Sequence, residues 1–176
     1  MTAIRVYDPG RDAAAVRALF VTLHETERAI DPRMRPSEAI ADAYLAKVFE
    51  RARAFDGVLF VAERAGRVVG YVSVWRRYVS DELDDPPGEM GYVSDLVVDP
   101  EVRGEGLGRA LLRRAEESVR EAGVTTLRLS VLAGNQRALA LYENEGFAPV
   151  ELDLEKRLDD AGGREAKRAR RSARPG

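Results

Sequence analysis

The sequence predicts a single domain of the α/β (α+β) class, with a central mixed, mostly antiparallel sheet flanked by helices. Segments in which apolar residues recur with period two are interspersed with segments in which they recur with the helical period. Two apolar runs, 58–63 and 68–75, are separated by Ala65-Gly66, a pattern typical of a β-hairpin. The length of 176 residues fits one domain.

The first half of the chain predicts one strand and two helices ahead of that hairpin. Residues 3–7 alternate in polarity and include β-branched side chains, which favours a strand. Asp8-Pro9 is typical of a helix start, and Ser37 is expected to cap a second helix. The apolar faces of these helices comprise Val16, Leu19, Phe20 and Leu23 in the first, and Ile40, Tyr44, Leu45 and Val48 in the second.

The second half predicts a strand over 92–98, a glycine-rich turn over 99–108, a helix to about residue 122, a strand over 125–132, a helix over 138–145 and one or two strands over 147–158. The domain is therefore expected to span 1–158. Residues 159–176 form a basic tail in which positions 164–176 carry six basic residues and one acid. This composition favours a disordered segment.

Composition excludes several kinds of site. Without cysteine there is no disulfide, thiolate metal site or cysteine nucleophile, and a single histidine, His24, excludes a multi-histidine zinc site. We therefore expect no metal. The chain shows no long apolar run and no signal peptide pattern, which predicts a cytoplasmic protein without a membrane partner. The tail is short and lacks interleaved aromatic residues, so no nucleic-acid partner is expected.

The most informative segment is VVDPEVRGEGLGRALL, residues 97–112. A β-branched strand ends at Val98, three glycines follow at 104, 106 and 108, and an amphipathic helix begins at once. Glycines let the backbone approach a ligand closely, and the free N–H groups of a helix N-terminus favour an anion. The segment therefore predicts a phosphate cradle flanked by Arg103 and Arg109. The alternative is a helix start whose glycines are only structural.

Spacing excludes two nucleotide-binding motifs, a Walker loop and a dinucleotide fingerprint, because the required lysine and third glycine are missing. The pattern R-x-x-G-x-G, which begins at Arg103, resembles the pyrophosphate-binding motif of the GNAT superfamily of acyl-CoA N-acyltransferases. The resemblance implies acetyl-CoA as co-substrate, with Val98 beside its pantetheine arm. It also implies a pyrophosphate held by the turn that contains Gly104, Gly106, Leu107 and Gly108.

A second motif, GNQRALALYENEGF at 134–147, resembles the fourth-helix signature of the same family. Asn135 and Tyr142 are two helical turns apart, roughly 10 Å along one face. The resemblance implies that Asn135 bonds the pantetheine amides and that Tyr142 lies near the thioester sulfur. Asn135 is equally well explained as a helix N-cap, which is compatible with that role, and Tyr142 as a packing residue.

The residues favour direct attack of an amine on the thioester, because the chain has no cysteine, no G-x-S-x-G motif and only one histidine. Tyr142 is the candidate general acid for the leaving thiolate, and backbone N–H groups at the end of the 92–98 strand are candidates for the oxyanion. The candidate bases are Asp95 and Glu89; Ser94 stands where some relatives carry a glutamate. A water chain is an alternative base, and Asp95 as a structural acceptor an alternative role.

The acceptor is predicted to be a cationic amine, because Asp81, Glu82, Asp84, Asp85 and Glu89 concentrate negative charge in the loop before that strand. A merely solvated loop is the alternative. His24 is expected to be a surface residue, although the family places the acceptor near its helix. A homodimer, another short acyl-CoA donor and a non-catalytic acyl-CoA-binding module all remain open.

Overall fold

The computed structural model describes residues 2–82 and 87–158. Asp84, Asp85 and the predicted tail at 159–176 lie outside the described residues. The elements are β1 (Thr2–Val6), α1 (Pro9–Ile30), α2 (Ser37–Ala54), β2 (Gly57–Arg64), β3 (Arg67–Tyr78), β4 (Met90–Val98), a 3₁₀ helix (Pro100–Val102), α3 (Leu107–Glu121), β5 (Leu127–Leu129) and α4 (Gln136–Asn144). The predicted class, a mixed and mostly antiparallel sheet flanked by helices, is confirmed.

The five strands form one sheet in the order β1-β2-β3-β4-β5. Strands β1 to β4 are antiparallel to their neighbours, whereas β5 is parallel to β4. The β2–β3 hairpin turns at Ala65 and Gly66, whose φ angles are 49° and 78°. Positive φ at both central residues matches the twist of the flanking strands, so the predicted hairpin is confirmed.

Helices cover both faces of the sheet. Val16, Leu19 and Phe20 of α1 belong to the same buried cluster as Tyr71 of β3 and Val97 of β4, as the predicted apolar spacing requires. Successive strand residues point to opposite faces, and a Cβ on Gly70 would lie 3.2 Å from Leu111 of α3. Helix α3 therefore packs on the other face. None of the helices in the described ranges combines the length and apolarity needed to cross a membrane.

The start of α1 is fixed by two predicted and one unpredicted feature. Asp8 is the N-cap and accepts from the Gly10 N–H at 2.9 Å, with Pro9 in the first helical position. Asp12, only 1% exposed, accepts two bonds from the Arg5 guanidinium at 2.6 and 2.8 Å. This pairing lowers the pKa of Asp12 to about 2 and joins β1 to α1.

Two expectations about the α1–α2 contact are wrong. His24 is buried, at 5% exposure, and its Nδ1 lies 3.0 Å from the Ser37 hydroxyl. Ser37 is the first residue of α2, not its cap, which is Pro36, and its hydroxyl donates to Glu25. These residues bond each other across two helices, and neither helix alone reveals such a contact. Burial lowers the pKa of His24, so its neutral form is favoured.

The last part of the chain departs most from the prediction. Strand β5 has three residues, fewer than the predicted 125–132. The chain divides into two units after Gly146, and the second unit contains no strand among its described residues, 147–158. The final strands are therefore wrong for this segment. Val150, Leu152 and Leu154 alternate with acidic residues but are 76%, 77% and 94% exposed, because an alternating pattern makes a strand only beside a hydrogen-bonded neighbour.

Candidate active site

A cleft of about 410 Å³ lies beside the second half of β4. Strand β5 pairs only with Gly91, Tyr92 and Val93, so within the described residues the stretch from Leu96 to Val98 has no strand on that side. These residues line the cleft. Apart from the Val98 carbonyl, which accepts a hydrogen bond from Arg103, the backbone groups on this side are available to a ligand. The volume falls in the range of about 300–1,000 Å³ that small-molecule sites occupy.

The predicted glycine turn forms one wall of the cleft. Gly104 and Gly106 have φ angles of 85° and 80°, a conformation that favours glycine, and α3 begins immediately after them at Leu107. A Cβ built on either glycine meets no other atom within 4 Å, so the turn leaves open space above its backbone. Since the first N–H groups of α3 have no intrahelical acceptor, they are available to an anion there.

Three arginines line this end of the cleft, Arg103, Arg109 and Arg137. Arg103 donates from Nε to the Val98 carbonyl at 3.0 Å, and burial together with Arg137 lowers its pKa. Arg109 pairs with Glu145 at 2.6 Å. Within the described ranges neither Arg103 nor Arg137 has a carboxylate partner. Two cations without an ion-pair partner in the described residues therefore line the cleft beside the glycine turn, and the charge of Asp99 acts on Arg103.

The two predicted α4 residues lie on the opposite wall. Asn135 is the N-cap of the helix, and its side chain accepts from the Ala138 N–H at 3.2 Å. It also lines the cleft, so capping does not remove it from the site. Tyr142 lines the cleft as well, and burial raises its pKa to about 12, with smaller contributions from Glu27 and Asp95. Its phenol is therefore protonated at neutral pH.

Asp95 lies beneath the cleft, next to Leu96 on β4. It is 4% exposed and accepts from the Tyr44 hydroxyl at 3.0 Å and from the Ser94 hydroxyl at 2.9 Å. Burial raises its pKa to about 6, while these two hydrogen bonds lower it. No cation pairs with it among the described residues. Asp95 is thus an ionised carboxylate at neutral pH that is held by neutral donors alone.

Tyr71 and Glu27 complete this acidic end. The Tyr71 hydroxyl is buried without a hydrogen-bond partner in the described structure, and its pKa is raised by burial and by Asp95, Tyr44 and Glu27. Glu27 of α1 is half-buried, and burial followed by Asp95 raises its pKa. The acidic cluster, defined here as Glu27, Tyr44, Tyr71 and Asp95, brings together side chains from four different elements.

Two residues singled out by the sequence lie elsewhere. Glu89 precedes β4, at the end opposite Val98 and roughly 30 Å away along the strand, and it binds Arg77 at 2.5 Å. His24 turns its ring towards Phe20 and Ser37 in the α1–α2 contact, and the residues that line the cleft do not include it.

Comparison with known proteins identifies the family of this chain. The model of the acetyltransferase (GNAT) family matches residues 20–147. The chain belongs to the acetyltransferase (GNAT) family. The expectation of a GNAT-type acyltransferase is confirmed at the level of the family.

Similar proteins of known function support the assignment to the acetyltransferase (GNAT) family. The mycothiol acetyltransferase of Thermobispora bispora is 34% identical over 152 residues, which cover 86% of this chain and 48% of that protein. The mycothiol acetyltransferase of Propionibacterium freudenreichii is 41% identical over 98 residues, 56% of this chain and 30% of that protein. The GNAT chain thus spans less than half the length of these curated relatives.

Solved structures agree on the fold. A GCN5-related N-acetyltransferase from Ralstonia eutropha superimposes with a TM-score of 0.68 at 20% identity, covering 90% of this chain and 99% of its own. A paia N-acetyltransferase from Thermoplasma acidophilum, solved in complex with coenzyme A, gives a TM-score of 0.71 at 17% identity, covering 87% and 93%. At these identities the similarity establishes the GNAT fold alone.

Sequence reasoning missed Arg137, Glu27, Tyr44 and Tyr71 as site residues. Arg137 carried a usable signal, because it follows Asn135 by two positions at the start of the same helix. Tyr44 was assigned only to the apolar face of α2, and a tyrosine on such a face gives no sign of where its hydroxyl ends. Glu27 and Tyr71 had no local signal, since only packing brings α1 and β3 beside Asp95.

Proposed function

We propose that this chain is an acetyl-CoA-dependent N-acetyltransferase that moves an acetyl group directly onto an amine. One observation carries the proposal: the unpaired stretch of β4, the glycine turn and Tyr142 all line a single cleft. The first two suit a long ligand with a phosphate group at one end, and the third supplies a protonated phenol where a thiolate would leave.

The proposed cofactor site uses the residues that the sequence predicted. The turn from Gly104 to Gly108, including Gly106 and Leu107, would bind the pyrophosphate through backbone N–H groups, with Arg103 adding charge. Arg137 joins Arg103 in this role, because Arg109 is already paired with Glu145. The unpaired groups of β4 up to Val98, together with Asn135, would hold the pantetheine arm.

The proposed chemistry needs three groups. Tyr142 donates a proton to the leaving thiolate, and a β4 backbone N–H stabilises the oxyanion. An amine of ordinary pKa, roughly 10, must lose a proton before it attacks. Asp95 is ionised at neutral pH and lies next to a cleft residue, which favours it over the distant Glu89 as the group that assists this step.

The acceptor is proposed to be an amine, and a cationic one. The named relatives are mycothiol acetyltransferases, so the amine that those enzymes acetylate is one candidate acceptor. Asp81 and Glu82 of the acidic loop carry negative charge ahead of β4, as the uncompensated Asp95 does beneath the cleft. Both favour a cation over a neutral or anionic acceptor.

A thiol-release assay tests the proposal and separates it from its alternatives. The chain has no cysteine, so a thiol reagent would report only free CoA. We expect acetyl-CoA to bind and at least one amine among ethanolamine, putrescine, tyramine, glucosamine and a lysine-containing peptide to release CoA. Binding without release from any amine would favour a non-catalytic acyl-CoA-binding module. Faster CoA release from propionyl-CoA or succinyl-CoA would mean that this acyl-CoA, and not acetyl-CoA, is the preferred donor.

A further inference from the structure

Glu27 lies on the side of α1 that faces the cleft. Leu23 and Thr26 line the cleft, and Glu27 follows directly, one turn beyond Leu23. Ile30 fixes this end of the helix, because its Cγ2 would lie 2.5 Å from a Cβ on Gly134, in the turn before α4. Packing therefore fixes the last turns of α1, which carry Glu27, beside the cleft.

Glu27 differs from the other carboxylates of α1 in having no partner among residues 2–82 and 87–158. Asp12 pairs with Arg5, and Glu25 pairs with Arg28 at 2.9 Å and accepts from Ser37. Throughout the described residues, the Glu27 side chain makes no hydrogen bond or ion pair, although it is half-buried. Burying a charge without a partner is costly, so a cationic ligand in the cleft would stabilise the charged form of Glu27.

The fully buried Tyr71 hydroxyl points to the same missing ligand. It has no hydrogen-bond partner in the described structure, and burial, followed by the charges of Asp95 and Glu27, raises its pKa. Most buried hydroxyl groups have a hydrogen-bond partner, so the Tyr71 hydroxyl, whose surroundings include two carboxylates without a cation, is available to a further hydrogen-bonding group. No group of three or more metal-ligating side chains occurs in the part of the chain that the structure describes.

We propose that Glu27 and Asp95 receive the ammonium group of the acceptor, and that Glu27 takes its proton. A primary ammonium carries three N–H donors and one positive charge. Glu27 and Asp95 offer carboxylate oxygens and negative charge with no cation among the described residues, and the Tyr71 oxygen can accept a further hydrogen bond. This inference rests on the proposed acetyl transfer and defines its acceptor as a primary amine that binds in its charged form.

The proton balance of the reaction is complete with these groups. Glu27 accepts one proton from the ammonium and releases it to solvent. The neutral nitrogen attacks the thioester carbonyl, a C–N bond forms, and the C–S bond breaks. Tyr142 protonates the thiolate, and the second proton lost by the nitrogen restores Tyr142. The products are the acetylated amine, free CoA and one proton.

Acceptor binding would also prepare Tyr142 for its role. Its pKa of about 12 lies above that of an ordinary thiol, near 8.5, so proton donation to the thiolate is uphill. Glu27 and Asp95 are two of the causes that raise it. A cation between these carboxylates offsets their charge and lowers the Tyr142 pKa. The bound acceptor thereby makes the acid stronger.

The test compares two substitutions on the same helix, Glu27→Gln and Glu25→Gln, which remove the same charge two positions apart. The probe is the panel amine with the highest kcat/KM. We expect Glu27→Gln to lower kcat/KM for that amine by roughly 10²–10⁴ with the acetyl-CoA Kd unchanged. Glu25→Gln should stay within about threefold of the native chain. Equal values for the two variants would overturn the proposal.

The pH profile separates a base from a structural residue. The charged or titratable groups around Glu27 are Asp95, Tyr44, Tyr71 and Tyr142 from neighbouring elements and His24 and Arg28 from its own helix. If Glu27 is the base, the defect of Glu27→Gln should shrink from about pH 6 to pH 10, as free amine replaces ammonium. A defect that is constant over this range would contradict the assignment.

A binding measurement keeps this inference separate from the transfer activity. Putrescine is titrated calorimetrically into the CoA complex of each chain. The native chain and Glu25→Gln should bind it with equal affinity, and Glu27→Gln at least tenfold more weakly. If the affinities follow this pattern but no amine releases CoA, the ammonium site is supported and the proposed acetyl transfer is refuted. Absent or unchanged putrescine binding together with no release would overturn both.

Discussion

The two ends of the cleft are built in opposite ways. The backbone at one end of the cleft comes from one continuous stretch, the end of β4 and the glycine turn, and this end is lined by Arg103 of that turn and Arg137 of α4. The acidic cluster draws Glu27, Tyr44, Tyr71 and Asp95 from α1, α2, β3 and β4. We propose a pyrophosphate at the first end and an ammonium group at the second, and of these features the glycine turn is encoded locally.

Two buried aspartates show how the presence or absence of a cation changes the pKa of a carboxyl group. Asp12 is 1% exposed and bound by Arg5, and its pKa is lowered to about 2. Asp95 is 4% exposed and bound only by the neutral hydroxyls of Tyr44 and Ser94, and its pKa is raised to about 6. The pKa values of two similarly buried carboxyl groups thus shift in opposite directions, because only Asp12 is paired with a cation. An uncompensated carboxylate is typical of a functional site rather than a structural pair.

The largest expected effect is at the cofactor end. Gly106→Glu should abolish CoA binding, because it places a negative side chain over the backbone that would meet the pyrophosphate. Gly66→Glu is the matched control: Gly66 also has positive φ, 78°, and open space around it, but lies in the β2–β3 hairpin. Calorimetry with acetyl-CoA should show loss in the first variant alone. Equal affinities would refute the phosphate site.

The second largest effect is expected at Tyr142. Tyr142→Phe should reduce kcat by roughly 10²–10⁴ while the acetyl-CoA Kd changes little, because only the hydroxyl is lost. Tyr78→Phe provides a control, since Tyr78 packs against Phe55 and Trp75 outside the cleft. Steady-state kinetics measure both. A loss of less than about threefold would make Tyr142 a packing residue.

Replacing Asp95 and replacing Asp12 should change the free energy of unfolding in opposite directions. The folded pKa of Asp95 is raised, so its ionised form costs stability above about pH 6 and not below 3.8. Asp95→Asn should therefore stabilise the fold by roughly 1–3 kcal/mol at pH 8, while lowering activity. The folded pKa of Asp12 is depressed, so its stabilisation is present above 3.8 and lost as pH falls towards 2.

Asp12→Asn should accordingly destabilise the fold by about 3 kcal/mol at pH 8. Urea unfolding of both variants at pH 8 and near pH 4 measures these values. The gain from Asp95→Asn should disappear at the lower pH. Destabilisation by Asp95→Asn at pH 8 would show that Asp95 is mainly a structural acceptor.

The smallest effect concerns the acidic loop. Neutralising Asp81, Glu82, Asp84 and Asp85 together should raise KM for the acceptor severalfold at low salt and flatten its salt dependence, with acetyl-CoA affinity intact. Exposed charges are screened, so the effect should be far below that of Glu27→Gln. Kinetics at two ionic strengths measure it. An unchanged KM at low salt would mean that the loop is only solvated.

Much of the fold was predictable because its signals are local. The hairpin at Ala65-Gly66, the cap at Asp8 and the core face of α1 each depend on neighbouring residues, and all three are confirmed. The pattern around Val150 to Leu154 failed for the same reason: alternation is local, but a strand needs a partner that the pattern does not specify. His24 and Ser37 failed because their bond joins two helices.

The sequence by itself determined the family and the position of the glycine turn, since spacing within one short stretch sets the turn and the helix start that follows it. The tertiary structure decided which carboxylates are compensated. Asp12 is near Arg5 in sequence as well as in space, whereas Glu27, Tyr71 and Asp95 are far apart along the chain and meet only when α1 packs on the sheet. Charge compensation depends on distance in space, and sequence spacing does not report that distance beyond a few residues.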